Sequence, residues 1–232
     1  MKSFWLTLFL TSMIWADAHI FIYHRFNDER HPSTNTTLLE LRANFEYFKH
    51  NGYEVIPLEK LISALHKKEP IPDNWVVLTI DDNYKSFYNH GLALFKEYGY
   101  PFSMFVYVGA TENFYFVFMS WEELKEIQKY GSLEFHSMNH PHMTHLSDEA
   151  LKADFEEGLA LFEKRLGFKP RYFSYPFGEF NPRVKTVAQS FGFEAILNQT
   201  MGAVASFSDP LDLDRNALVG TSDLKSSLKY KA

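Results

Sequence analysis

The 232-residue sequence contains no cysteine. Disulfide bonds therefore cannot stabilise the fold, and no thiolate can serve as a metal ligand or nucleophile. Positive charge is also in the minority, since 23 lysines and arginines stand against 29 aspartates and glutamates, a net charge of −6. This balance argues against a nucleic-acid partner. The 46% hydrophobic content is sufficient for one globular domain with a large core.

A long hydrophobic run is missing as well. The chain begins with one lysine, a mostly apolar stretch and then Ala16-Asp17-Ala18. The stretch is shorter than the roughly 20 residues that a membrane-spanning helix needs, and the two alanines fit an A-x-A cleavage site. We therefore predict a signal peptide at 1–18, a mature chain without a transmembrane span, and export to the bacterial periplasm or cell envelope. An uncleaved anchor is the alternative.

Apolar, β-rich segments alternate with amphipathic segments over residues 19–232. The predicted strands are 19–26, 54–58, 75–81, 102–108, 132–138, 171–177 and 193–199. The predicted helices are 38–50, 59–68, 85–98, 120–130, 147–166 and 182–191. Because the strands are almost continuously apolar, they are typical of a parallel sheet that is buried on both faces. The alternation predicts a single α/β domain, most simply a parallel barrel.

Polar side chains stand at the carboxyl ends of four predicted strands. They are His24 and Arg25, Asp81 and Asp82, His136, and Tyr175 with Pro176. The active groups of parallel barrels gather at this end of the strands. The pattern therefore indicates one functional site, although each pair alone is equally typical of solvated loop residues or a helix cap.

The spacing of His136 and His140 allows both imidazoles to meet one metal ion. With one carboxylate they form a three-ligand site that keeps a position for water; zinc is its commonest occupant, and cobalt, nickel or manganese also fit. The adjacent carboxylates Asp81 and Asp82 can have different roles, since one can bind the metal while the other stays unligated as a general base. An arginine near that base would keep it ionised. Arg171 is the candidate, and a solvated strand-end residue is the alternative.

Three ordered segments resemble the motifs of the polysaccharide deacetylase family, also called NodB-homology or carbohydrate esterase family 4. They are "TIDDN" (79–83), "HSMNHPHMTHLS" (136–147) and "RYFSYPFGEFN" (171–181). The similarity extends from "YHRF" to about Leu197 and is greatest to the exported bacterial branch. It implies a distorted (β/α)7 barrel and a hydrolase that removes N-acetyl groups from N-acetylglucosamine-containing polysaccharide with the aid of a divalent metal.

The resemblance also implies roles for individual residues. The catalytic ones are Asp81 as general base, Arg171 as the arginine that orients it, and Tyr84, whose backbone N–H would hold the oxyanion. The metal ligands are Asp82, His136 and His140. Tyr175 and Pro176 would line the sugar groove. His24 is a further candidate for substrate binding because of its position at the end of the first strand, and a core position or one that supports the site is the alternative. In this scheme the metal polarises the amide carbonyl, and a bound water attacks it with help from the base.

Two departures from the family pattern stand out. Asn83 occupies the place of a glycine that usually follows the two aspartates, and asparagine is the side chain best able to replace it in a left-handed conformation. No histidine occurs after His145, whereas the family supplies a late Leu-x-His whose imidazole protonates the leaving amine. Either the chain is cut short or another acid serves.

Two other functions are compatible with the same barrel. A non-catalytic glycan-binding module is favoured by the two departures, but a pure binder has no need of the free carboxylate Asp81. A metal-dependent amidohydrolase of small cyclic amides is disfavoured by the export signal. The sequence indicates neither the polysaccharide nor the oligomeric state.

The segment "ENFYFVFMSW" (112–121) is unusually aromatic. A core strand or a packed loop is the simplest interpretation. The alternative is a loop of exposed rings over the barrel mouth that stack on sugars.

Overall fold

A computed structural model describes residues 17–219 and 224–232. The predicted signal peptide lies outside the described residues except for its last two. Of these, Ala18 is fully buried and exchanges two backbone hydrogen bonds of 2.9 and 2.8 Å with Val204. No helix in the described ranges is long and apolar enough to cross a membrane.

The strands of the described chain are short. They are β1 His19–Tyr23, β2 Arg25–Phe26, β3 Asn35–Thr36, β4 Glu54–Val55, β5 Trp75–Asp81, β6 Ser103–Val106, β7 Ser132–Phe135, β8 Tyr172–Ser174, β9 Ala195–Leu197 and β10 Asn216–Ala217. Eight of them form one sheet in the order β10-β1-β5-β6-β7-β8-β9, with β4 also paired to β5. Every pairing in this sheet is parallel. The separate pair β2 and β3 is parallel too.

Helices connect the strands. They are α1 Leu38–His50, α2 Leu58–Lys67, α3 Leu92–Tyr98, α4 Val108–Glu112, α5 Trp121–Ile127, α6 Asp148–Leu166, α7 Pro182–Gln189 and α8 Leu224–Ser227. A π-helix, Phe87–Gly91, leads into α3, and 3-10 turns occupy Met143–His145 and Pro176–Gly178. The sheet curls into a half-barrel, which confirms the predicted single-domain (β/α)7-like fold.

Local sequence signals account for the helix starts. Ser120 and Glu123 form a reciprocal capping box at the start of α5, with hydrogen bonds of 2.8 and 3.2 Å. At α7 the side chain of Asn181 accepts a hydrogen bond from Val184 N, and Pro182 occupies the first helical position. Each cap satisfies a backbone N–H that has no partner within its helix. These caps fix the course of the chain where α5 and α7 begin.

Strand β5 is an interior strand of the sheet. Its residues from Val76 to Asp81 are all buried, as expected for a strand covered on both faces. It pairs with β1 on one side and β6 on the other. Asp81 is thus a carboxylate at the end of a fully buried strand, and such a charge requires a partner.

Candidate active site

Three potential metal ligands converge beyond the carboxyl ends of β5 and β7. Asp82 Oδ1 lies 3.3 Å from His136 Nε2 and 3.0 Å from His140 Nε2. One ligand atom from each of the three residues lies within 4.8 Å of the others. Asp82 Oδ1 is buried and accepts no hydrogen bond from any described residue. An oxygen without a partner that faces two imidazole nitrogens fits a divalent metal ion, and the donor set of two nitrogens and one oxygen is typical of zinc.

Ser174, the last residue of β8, orients the buried ligand His136. The Nδ1 of His136 lies 2.8 Å from the Ser174 carbonyl oxygen and 2.6 Å from its hydroxyl. A hydrogen bond from Nδ1 to the carbonyl leaves the lone pair on Nε2, which faces Asp82. The contact between Ser174 and His136 could not be predicted from the sequence, because it depends on the pairing of β7 with β8.

The loop that carries His140 is held from α6. Asp154 accepts backbone hydrogen bonds from Met138 at 3.0 Å and Asn139 at 2.9 Å. Within the loop, His140 N donates to Ser137 Oγ at 2.8 Å. Both Ser137 and His140 have positive φ, 70° and 49°, which is uncommon outside glycine and marks local strain. The loop is therefore fixed in an unfavourable conformation that directs the imidazole towards Asp82.

Asn83 adopts the left-handed conformation predicted for it, with φ of 42°. Its side chain does what a glycine could not: Oδ1 accepts a hydrogen bond from Tyr107 N at 2.7 Å, and Nδ2 donates to Thr111 Oγ1 at 2.9 Å. The preceding Asp82 also has positive φ, 71°. The asparagine thus preserves the turn that points Asp82 at the imidazoles and ties it to β6 and α4.

Asp81 is bound by Arg215. Arg215 Nη1 and Nη2 donate to the two carboxylate oxygens at 2.9 and 2.8 Å, and both side chains have zero exposure. The same guanidinium donates to Thr79 Oγ1 at 3.1 Å and to the Asn198 carbonyl at 2.8 Å. A bidentate pair with these further bonds is the arrangement in which a buried ion pair is stable.

The electrostatics keep both carboxylates ionised. Burial raises the pKa of the Asp81 carboxyl, but the charge of Arg215, together with that of His136, outweighs burial and holds the pKa below its ordinary value. Burial likewise opposes ionisation of Asp82, and the adjacent imidazoles of His136 and His140 hold its pKa well below the ordinary value. Asp81 is therefore an ionised carboxylate that lies beside the triad without belonging to it, which is the state that a general base requires.

The prediction that Arg171 orients the base is wrong. Arg171 lies just before β8, at the opposite end of the strand from Ser174, and its guanidinium pairs with Glu194 and Glu59, each at 2.7 Å. Its side chain is 44% exposed. The arginine of the third motif therefore stabilises the surface at the amino ends of the strands, and Arg215 occupies the place beside Asp81.

The role of Arg215 beside Asp81 could not be predicted from the sequence. Arg215 directly precedes β10, a strand of only two residues, and so short a strand has no measurable periodicity. Arg215 is buried because β10 pairs with β1 and because its long side chain extends into the barrel as far as Asp81. The one available signal was the need of the buried Asp81 for a cation.

His24 lies between β1 and β2 beside the aspartates. Burial lowers the pKa of its imidazole and outweighs the attraction of the nearby Asp82 and Asp81 charges. Its Nδ1 is buried and has no hydrogen-bond partner among the described residues. Tyr84, which follows the aspartates, carries the Arg25 guanidinium 3.5 Å above its ring. The roles predicted for His24 and for the Tyr84 N–H stay predictions.

The prediction that Tyr175 and Pro176 line the groove needs correction. Tyr175 has zero exposure and stacks on Phe180 with ring centroids 5.0 Å apart, and Pro176 is also buried. Strand β8 ends at Ser174, so the next side chains turn into the core. The exposed ring is Phe177, which is 48% exposed and stacks on His142 at 4.1 Å.

Comparison with known proteins identifies the family. The sequence profile of the polysaccharide deacetylase family matches residues 68–196, more than half of the chain. The protein belongs to the polysaccharide deacetylase family. The predicted class of enzyme, a hydrolase that removes acetyl groups, is thereby confirmed.

Relatives agree with this assignment. YxkH, a family member from Bacillus subtilis (strain 168), is 23% identical over 195 residues, which cover 82% of this chain and 67% of the relative. The poly-β-1,6-N-acetyl-D-glucosamine N-deacetylase of Escherichia coli (strain K12) is 32% identical over 74 residues, 32% of this chain and 11% of that protein. The Streptococcus pyogenes deacetylase PplD, solved with acetate, has the same fold with a TM-score of 0.83 at 20% identity, over 93% of this chain and 99% of PplD.

Proposed function

We propose that the protein hydrolyses N-acetyl groups of an N-acetylglucosamine-containing polysaccharide and that it requires a divalent metal for this reaction. The observation that carries the proposal is the position of the buried Arg215–Asp81 pair directly beside the Asp82–His136–His140 triad. A glycan-binding module has no use for an ionised carboxylate that is held free of the metal ligands.

Asp82, His136 and His140 would hold the metal, with zinc as the first candidate and cobalt, nickel or manganese as alternatives. A metal ion bound there would polarise the acetyl carbonyl and lower the pKa of a water molecule. The chain's own contribution is rigidity, since Ser174 fixes one imidazole and Asp154 fixes the loop of the other.

Asp81 would take the proton from the attacking water. Arg215 fixes both of its oxygens and keeps it ionised, so the base is oriented before substrate arrives. The backbone N–H of Tyr84 would donate to the oxygen on which charge develops. Asp81 is the last residue of β5 and Tyr84 belongs to the turn that follows, which the side-chain hydrogen bonds of Asn83 hold in place.

His24 is the candidate for the proton donor to the leaving amine. Because burial lowers the pKa of its imidazole, the proton that it donates would be the one that Asp81 takes from the attacking water. His24 is outside the triad, interacts with both aspartate charges, and has a buried Nδ1 without a partner among the described residues. Its substitution by glutamine would slow acetate release without loss of bound metal.

The test is acetate release from a hexamer of N-acetylglucosamine by zinc-loaded protein, with Asp81→Asn beside it and bound zinc measured in both. Release by the parent protein but not by the variant, at equal zinc content, is the expected result. A parent protein that binds zinc and the hexamer but releases no acetate would instead be a glycan-binding module. Release from a small cyclic amide but not from the hexamer would indicate an amidohydrolase.

The polysaccharide lies outside the cytoplasm in this proposal. The basis is the signal peptide predicted at residues 1–18, and N-terminal sequencing of the protein recovered from the cell envelope tests it. A mature chain that starts at His19 is expected, whereas a chain that still begins at Met1 would favour an uncleaved anchor.

A further inference from the structure

Three consecutive aromatic side chains are exposed in the connection between α4 and α5. Phe114 is 81% exposed, Tyr115 51% and Phe116 84%. We call residues 113–118 the aromatic loop. Neither the core nor the site described above uses these rings, and adjacent exposed apolar groups commonly mark a binding surface. The expectation of a core strand for this segment is wrong, because the rings point into solvent.

Hydrogen bonds hold the backbone of the aromatic loop. Tyr115 N donates to the Ala110 carbonyl at 3.1 Å, and Lys85 N donates to the Val117 carbonyl at 2.9 Å. Phe114 has φ of 56°, in the left-handed region that an aromatic residue disfavours. Because the Phe114 ring remains exposed, packing does not compensate for this conformation. The loop thus presents its rings outward on a fixed backbone.

The aromatic loop is continuous with the metal site. The Tyr115 ring contacts Phe118 with centroids 6.5 Å apart, and Phe118 contacts Tyr107 at 5.6 Å. Tyr107 in turn contacts the ligand His140 at 5.3 Å. Phe118 also stacks on Tyr84 at 4.8 Å. A row of rings therefore leads from the site to the exposed end of the loop.

The surface beside the exposed rings is polar. Phe116 and Val117 line a cavity of about 430 Å³ together with Asn27, Asp28 and Asn89. A sugar ring has an apolar face that stacks on an aromatic ring and a rim of hydroxyls that needs hydrogen-bond donors and acceptors. Insertion into a membrane would instead remove from water the charges of Asp28 and of Arg30, which pair at 2.8 Å in the same cavity. The chemistry favours a glycan.

We propose that the aromatic loop binds sugar residues of the polysaccharide that flank the acetamido group held at the Asp82–His136–His140 site. This inference rests on the proposed function and extends it. A long N-acetylglucosamine chain would contact both the metal site and the loop, whereas a monomer would contact only the site. Discrimination between polymer and monomer would then reside in Phe114 and Phe116.

The test compares a Phe114→Ser/Phe116→Ser double variant with a Phe207→Ser control, since Phe207 is a 62% exposed phenylalanine elsewhere on the surface. All proteins carry zinc and Asp81→Asn, which prevents turnover. Because this change leaves Arg215 buried without its carboxylate, urea unfolding first checks that each protein is folded at the temperature of the binding measurement. Calorimetry with β-1,4-linked N-acetylglucosamine hexamer should give a Kd about tenfold or more higher for the double variant. The control should bind like the parent. Equal hexamer affinity in the double variant and the parent would overturn the inference.

Two further outcomes distinguish a failure of this inference from a failure of the proposed function. If the protein with Asp81 intact releases acetate but the double variant binds the hexamer unchanged, the loop assignment fails and the deacetylase stands. If the double variant loses hexamer affinity but the intact protein releases no acetate, the sugar surface stands and the deacetylase fails. Binding to anionic phospholipid vesicles that depends on the two phenylalanines, with unchanged hexamer affinity, would make the loop a membrane contact and overturn the proposal.

Discussion

Arg215 donates two hydrogen bonds to Asp81 across 134 positions of sequence, and neither side chain is exposed. The pair connects the interior strand β5 to the chain just before β10. Because the carboxylate is buried, the guanidinium is both its counter-charge and its orienting group. Substitution of the arginine should therefore affect stability and catalysis together.

Arg215→Gln should lower the free energy of unfolding by about 3–5 kcal/mol, because it leaves Asp81 as a buried carboxylate without a cation. Burial raises the pKa of Asp81 and the charge of Arg215 lowers it. Removal of Arg215 should therefore raise the pKa of Asp81. The base would then be protonated at pH values where the parent's is ionised, so the acid limb of the pH–rate profile should move to higher pH. Urea unfolding and kcat/KM against pH measure the two effects.

The matched control is Arg171→Gln. Its two ion pairs are exposed to solvent, and such pairs contribute at most about 1 kcal/mol each. We expect a small loss of stability and an unchanged acid limb. A shift of the acid limb in Arg171→Gln equal to that in Arg215→Gln would contradict the assignment of Arg215.

Zinc binding should depend on His140 and not on its neighbour His142. His140 Nε2 faces Asp82, whereas His142 Nδ1 lies 2.9 Å from the exposed Glu179. His140→Ala should lose stoichiometric zinc and acetate release, and His142→Ala should retain zinc. Atomic absorption after gel filtration gives the metal content. Equal loss of zinc from the two variants would mean that the triad is not the site.

Asp154 should control metal affinity without touching the metal. Asp154→Ala would leave the buried N–H of Met138 and the N–H of Asn139 without their acceptor, so the loop that presents His140 should loosen. Loss of a group that orients a ligand typically lowers metal affinity about 10–100-fold. Competition with a chelating dye measures this affinity. The control is Asp148→Asn, a change on the same helix as Asp154. It breaks an exposed ion pair with Arg183 and should leave zinc binding normal.

Glu134 should make stability depend on pH. It is buried in β7, where it accepts hydrogen bonds from Arg171 N and Tyr172 N, and burial raises its pKa from 4.5 to about 7. The folded state holds this proton more tightly than the unfolded chain does. The contribution of Glu134 is therefore fully present below about pH 4.5 and decreases as pH rises through about 7.

Glu134→Gln removes this titration while it keeps an oxygen for the two N–H groups. Relative to the parent, the variant should gain up to about 3 kcal/mol in unfolding free energy between pH 4.5 and pH 8. Urea unfolding at several pH values, with all proteins at equal zinc content, measures the difference. A constant difference between parent and variant across that range would show that Glu134 does not titrate there.

The elements with strong local signals were predictable. The apolar run 75–81 matches β5 residue for residue, and α1 has the predicted bounds of 38–50. The positions of His136, His140 and the two aspartates at the carboxyl ends of parallel strands predicted that these side chains lie together. The choice of Asp82 rather than Asp81 as the third member of the triad came from the resemblance to the family. Ser120 and Glu123 form the predicted cap. Local sequence decides these features.

The remaining features depend on contacts between distant segments. The two-residue strands β3 and β10 exist only through their pairing, and the burial of Arg215 follows from one of these pairs. Tyr175 was expected in the groove because the predicted strand ran to residue 177, yet β8 ends at Ser174. Beyond the end of a strand the regular alternation of side chains no longer applies, so the predicted strand could not place Tyr175 correctly.

The late position of Arg215 has a consequence for synthesis. Asp81 leaves the ribosome 134 residues before its counter-ion, so the strands from β5 to β9 can pair while this carboxylate is still hydrated. The guanidinium of Arg215 reaches the carboxylate of Asp81 only when β10 pairs with β1. A chain in which β10 has not yet paired with β1 would therefore lack the ion pair that, in the proposed mechanism, orients and ionises the base.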